Sequence, residues 1–203
     1  MMHKTIGWLI GLCLVGSAYT QSFGIVDLER VRNESRFFKT RAEQLQALET
    51  RYVNAFQTLA ENLVLNDAER QELTNLLLAE KPNGNQQQRI QQLTQTARQR
   101  AEELQRLRQK PDLTETEKAA LEQFTRMETR SREVLELTRQ QFRQQIEQRA
   151  RQLDDEFSKA LDEVIAQIAR ERKLGVVFFK GAFVAYAEVD ITSEVIKRLD
   201  ARK

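Results

Sequence analysis

The chain has little of what catalysis, metal binding and covalent cross-linking require. Its 203 residues include one cysteine, one histidine, one tryptophan and two prolines, and aromatics make up only 7%. Cys13, His3 and Trp8 all lie in the opening stretch. Beyond that stretch no thiol or imidazole is available as nucleophile, general base or soft metal ligand, and no disulfide can form. The later glycines, Gly24, Gly84, Gly175 and Gly181, are isolated, so no glycine-rich phosphate loop is spelled. Charge of a single sign is missing too. The 32 basic residues against 30 acidic leave a formal net charge of +2, which is not the one-sided footprint of a nucleic-acid binder. Carboxylates are plentiful, as in Asp154-Asp155-Glu156 and Asp162-Glu163, but they sit among Lys159 and Arg170 at helical spacing. That is a solvated helix face, not an acid–base pair. No catalytic, cofactor or metal residue is expected.

The opening stretch is read as a targeting segment. Met1-Met2-His3-Lys4 gives a basic start, an apolar run follows from Thr5 to Gly16, and small residues come next at Ser17 and Ala18. This is the layout of a signal peptide over residues 1–20, cleaved after Ala18 or Thr20. An uncleaved anchor is the alternative, although the run falls short of the ~20 apolar residues a bilayer needs. A lipid anchor at Cys13 is disfavoured by bulky Leu12 before it.

The remaining apolar residues form thin seams. Phe38, Ala42, Leu45, Leu48, Tyr52, Phe56, Leu59 and Leu63 advance by three or four, the stripe of an amphipathic helix that begins near Leu28. From Thr114 to Lys173 neither glycine nor proline occurs, which allows roughly 60 residues of helix, about 90 Å at 1.5 Å each. The stripe of this second helix is Leu135, Phe142, Ile146, Ala150, Leu153, Phe157, Leu161, Val164 and Ile168. From Phe142 onward its spacing lies nearer an eleven-residue repeat than a strict heptad, so a nearly straight pair is expected. So long a stripe needs a partner of similar length, and the first helix supplies it. The two make an antiparallel hairpin arm over 28–173.

Between the two helices the pattern predicts capping boxes at Asn66/Glu69, Asn85/Gln88 and Thr114/Glu117. These punctuate extra helices near 66–80 and 86–109, which either extend the arm or fold back along it. The second is rich in arginine: Arg89, Arg98, Arg100, Arg106 and Arg108 face only Glu102 and Glu103 on the same helix. It is either an ordinary solvated surface or a basic contact for acidic client segments or anionic lipid.

The two ends of the chain read as strand. Phe23–Asp27 is one candidate. Val176–Phe179 and Phe183–Tyr186 suggest a hairpin around Lys180-Gly181, with Gly175 as a left-handed helix stop. Asp190-Ile191-Thr192 leads into a last helix capped by Thr192 or Ser193. The expected fold is mainly α with a small β body formed by 21–27 and 174–203. So small a sheet exposes its edges and wants burial on both faces, which points to completion by further copies. The candidates for that contact are Phe23, Ile25, Val177, Phe179, Phe183, Val184 and Tyr186.

The start FGIVDLERV and the end GVVFFKGAFVAYAEVDITSEVIKRL resemble the two ends of the Skp/OmpH family of periplasmic chaperones. Asp190-Ile191-Thr192 and Val195-Ile196-Lys197 fill that family's closing elements. The resemblance covers roughly 23–65 and 130–202 and implies a periplasmic homotrimer whose helical tentacles surround a cavity. It also implies an ATP-independent holdase that binds unfolded outer-membrane β-barrel proteins, without cofactor and without nucleic acid. Two departures are plain: residues 66–113 look like an insertion, and the chain is nearly neutral where familiar members are basic. A non-catalytic coiled-coil spacer or adaptor of the envelope is the competing reading.

Overall fold

The computed structural model describes residues 22–181 and 189–202. The chain opens with strand β1 (Ser22–Val26), followed by helix α1 (Leu28–Glu34) and the long helix α2 (Arg36–Glu61). Two helices of the middle segment follow, α3 (Asp67–Leu78) and α4 (Gly84–Gln109). Helix α5 (Glu115–Glu171) returns over 57 residues, about 86 Å at 1.5 Å per residue. Strand β2 (Leu174–Phe179), the short strand β3 (Val189–Asp190) and helix α6 (Thr192–Asp200) complete the body.

The first arm is interrupted where its periodicity gives no warning. Ser35 leaves helical geometry with ψ 125°, closing α1 and capping α2. Its side chain is fully buried and binds the carboxylate of Asp200 at the end of α6. A contact across most of the sequence therefore satisfies the break.

The middle segment folds back. Asn66 and Thr114 cap α3 and α5 through reciprocal boxes with Glu69 and Glu117. The cap of α4 is Asn83 with Gln86, two residues before the expected Asn85/Gln88. Both registers fit the pattern, and the earlier one adds helical hydrogen bonds directly after Pro82. Helix α3 runs back beside α2, placing Glu80 3.7 Å from Arg51. Helix α4 reverses again, passes α3 and reaches the tip, where α5 begins. The zig-zag creates a second core in mid-arm, formed by Leu59, Leu65, Leu73, Leu93 and Ala97.

The first core lies in the body, where Val26, Val31, Phe37, Ile191, Val195 and Leu199 close over the base of α5 at Phe157, Leu161, Val164 and Ile168. The sheet brings the two ends of the chain together. Its order is β2-β1-β3, and both neighbours run parallel to β1. The expected hairpin partner, Phe183–Tyr186, lies outside the described residues. The helix stop is also elsewhere: Lys173 takes the left-handed conformation at φ 55°, not Gly175. The register shifts between Ser22↔Leu174 and Phe23↔Val176, which leaves Gly175 as the extra residue of a bulge. Neither Thr192 nor Ser193 caps α6. The buried Thr192 hydroxyl instead accepts the Asp27 amide hydrogen at 2.9 Å, tying α6 to the end of β1.

Candidate functional site

Two surfaces can carry function: the outer face of the sheet and the length of the arm. On the sheet, register decides orientation, because paired residues of neighbouring strands share a face. Gly24 pairs with Val177, and these positions and Val26 turn toward α6 and α5, while Phe179, the partner of Val26, stays exposed. Gly24 suits the inner face, since a Cβ there would meet the Leu174 Cδ1 at 2.8 Å. Phe23 and Ile25 pair with Val176 and Phe178 and turn outward. The Phe23 and Phe178 rings lie 6.0 Å apart, and Phe23 and Val176 remain 43% and 41% exposed. Among the described residues, Phe23 and Val176 thus leave apolar surface on the outer side of a small parallel sheet. That is unusual, because parallel sheets are ordinarily covered on both faces.

The sequence candidates divide accordingly. Phe23 and Ile25 lie on the outer face. Val177 packs against the body core, and Phe179 is exposed at the end of its strand. Phe183, Val184 and Tyr186 lie outside the described residues. Val176 and Phe178, which strand alternation did not single out, complete the outer face. The Gly175 bulge is the reason, because the extra residue flips the alternation of everything after it.

The arginines of α4 do not form one surface. Arg89 and Arg100, ~3 turns apart, fall on the same side of the helix and reach Glu72 and Glu69 of α3. The Arg100 guanidinium grips both oxygens of Glu69 and holds its carboxyl below the usual range, against the opposing effect of burial. Arg89 does the same for Glu72. Arg106 pairs with Glu103 and lies near Glu117, and Arg108 reaches Glu128 on α5 at 2.6 Å. Arg98 is exposed and has no ion pair among the described residues. The excess positive charge read along α4 is thus largely cancelled by carboxylates of neighbouring helices. Two of them, Glu69 and Glu117, are the capping-box residues, a double duty the sequence pattern did not reveal.

At the tip, Lys110 holds Glu117 at 2.7 Å, and the Thr114 amide adds a second donor. Together they bring the Glu117 carboxyl down to about 2. At the other end of α5, Arg198 and Gln167 hold Glu171 down to about 2. These are structural clamps. Among the described residues no cluster of His, Cys, Asp or Glu is arranged to hold a metal ion, and no helix is long and apolar enough to cross a membrane.

The described residues thus combine a small parallel sheet with a long helical arm. A family model described as "Outer membrane protein (OmpH-like)" matches residues 22–199, taking in both the sheet and the whole arm. The chain belongs to the OmpH-like family, whose members are periplasmic chaperones of outer-membrane proteins. No curated protein and no solved structure matches it.

Proposed function

We propose that the chain, freed of residues 1–20, is an ATP-independent holdase that keeps unfolded outer-membrane β-barrel proteins from aggregating in the periplasm. Residues 21–27 and 174–203 form a body that three copies complete. Residues 28–173 form the arms, with 66–113 as an insertion toward the tip, and the arms enclose the client. The family match over residues 22–199 is the observation that carries this reading. The outward Phe23, Ile25 and Val176 support self-assembly, since an apolar face of this kind is stable in water only when covered. An unfolded client offers no fixed shape, so many weak contacts along an arm suit it better than one deep pocket. Arg98 carries the contact proposed for the arginine-rich helix, reaching acidic client segments or anionic lipid, while Arg89, Arg100, Arg106 and Arg108 are already engaged.

One observation favours the spacer reading. The arm is packed to its end, with Leu104 and Leu107 buried and Lys110 clamped on Glu117. A stiff rod of this kind suits an adaptor between folded partners. Light scattering of a denatured β-barrel protein, diluted into buffer with the chain at near-stoichiometric ratio, separates the two. Suppressed scattering is the expected result. Unchanged scattering, together with capture of a folded envelope protein, would establish the adaptor instead.

A further inference from the structure

On the body side of the mid-arm core, where the chain after α3 lies beside Arg51, the seam of α2 and α5 leaves a groove lined by these two helices. The Tyr52 ring stacks on Phe142 at 4.6 Å with an 18° interplanar angle. The buried Ala55 contributes almost no bulk to the seam. Beside this pair, Val53, Phe56 and Ile146 line an open groove of about 360 Å³, at the small end of the ~300–1,000 Å³ range of ligand pockets. Val53 is 61% exposed, and one exposed valine alone would signify nothing. Here it continues an apolar strip whose rim is charged. Arg139 and Arg143 flank the groove, with Glu147 at its base-side end. Arg143 has no ion pair among the described residues, and the only acid near Arg139 is Glu136 at 3.9 Å. The arginines of α4, in contrast, pair with acids at 2.5–2.8 Å.

We propose that this groove is a client-holding site for an extended segment that carries an aromatic or branched aliphatic side chain followed by a carboxylate. The proposal rests on the holdase reading and specifies where the client is gripped. An extended strand spaces same-face side chains by ~6.6 Å. Arg143 stands three residues, ~4.5 Å, before Ile146 along α5. An apolar side chain seated on Val53, Phe56 and Ile146 brings the next same-face side chain of an extended segment within reach of the Arg143 guanidinium. Arg143, without an ion pair among the described residues, and Arg139, held only by Glu136 at 3.9 Å, select acidic neighbours and disfavour basic ones.

The test is fluorescence anisotropy of the intact chain with two labelled extended peptides, alternating phenylalanine and serine, one flanked by aspartate and its twin by lysine. The aspartate peptide binds about 5-fold tighter or more, and V53E weakens it about 10-fold. L137E is the control, because Leu137 is a comparably exposed apolar residue, at 58%, that does not line the groove. It leaves affinity unchanged, while R143E removes the preference for aspartate. Melting curves of all three variants confirm folding, and V53S replaces V53E if the latter melts early. Equal effects of V53E and L137E, or no difference between the peptides, overturn the groove. The same variants enter the light-scattering assay. A wild-type chain that protects a denatured barrel equally well with V53E keeps the chaperone reading and loses the groove. A chain that binds the aspartate peptide through Val53 but protects nothing keeps the groove and loses the chaperone.

Discussion

Ser35 donates its hydroxyl hydrogen to the Asp200 carboxylate at 2.9 Å, joining the first helical break to the last turn of α6. The same carboxylate oxygen accepts the Phe37 amide hydrogen at 3.0 Å, and Arg36 approaches the other oxygen at 3.5 Å. Burial alone would raise the Asp200 pKa, but these donors outweigh it and lower it. The direction of α2 as it leaves the body is therefore set by a residue near the chain's C-terminal end.

Asp200→Ala leaves the buried Ser35 hydroxyl and the Phe37 amide without their acceptor. A loss of ~2–3 kcal/mol is expected, typical of hydrogen bonds to a charged group. Chemical denaturation checks it, and Asp200→Asn is expected to recover part of the loss. Stability equal to wild type would show that the break is held by other contacts.

Acid should loosen the arm at its two ends. Glu117 and Glu171 fall from 4.5 to about 2 in the folded chain. A folded pKa below the unfolded one adds stability that is complete above about 4.5 and is lost as pH falls toward about 2. Amide exchange should therefore accelerate in that window at the α4–α5 turn and where α6 meets α5. In mid-arm, Glu69 and Glu72 are lowered as well, so the α3–α4 contact should loosen in the same direction while the leucines keep their burial.

Leu73 is fully buried in the mid-arm core. Leu73→Ala is expected to cost ~2–5 kcal/mol of local stability through lost burial and a cavity. Exchange protection should drop across α3 and the facing part of α4, while α6 and the sheet keep theirs. A uniform drop would mean that body and arm unfold as one unit.

Lys173 occupies the left-handed region at φ 55°, which costs an ordinary residue roughly 1–2 kcal/mol. Lys173→Gly relieves this while adding flexibility to the unfolded chain. A net gain of up to ~1 kcal/mol is expected from thermal melting. A loss would show that the lysine side chain contributes more than its backbone costs.

The long helices, two of the three capping boxes and the apolar ends could be read from the sequence because each depends on local spacing. Ser35 could not, since its partner Asp200 lies at the other end of the chain and no local pattern announces the break. Asn83 and Asn85 offered the same cap chemistry two residues apart, and the local pattern does not decide between them. The direction of the sheet was hidden for a different reason. Alternation marks a strand but not whether its neighbour runs parallel, so the pairing of β1 with β2 and β3 has no local signal. The Gly175 bulge then moved Val177 inward and Val176 outward. On α4, counting charges along one helix overstated its basicity, because Glu69, Glu72 and Glu128 come from other helices. Val53 escaped notice because it stands beside the stripe, not on it.

The outward face of the sheet carries the central claim that one copy is incomplete. Light scattering coupled to size exclusion gives the solution mass of the mature chain, alone and with one denatured β-barrel protein. The account predicts a trimer that gains the mass of a single client, and Val176→Lys is expected to lower the mass toward one chain while helicity is retained. A folded monomer that gains nothing when the client is added would contradict it.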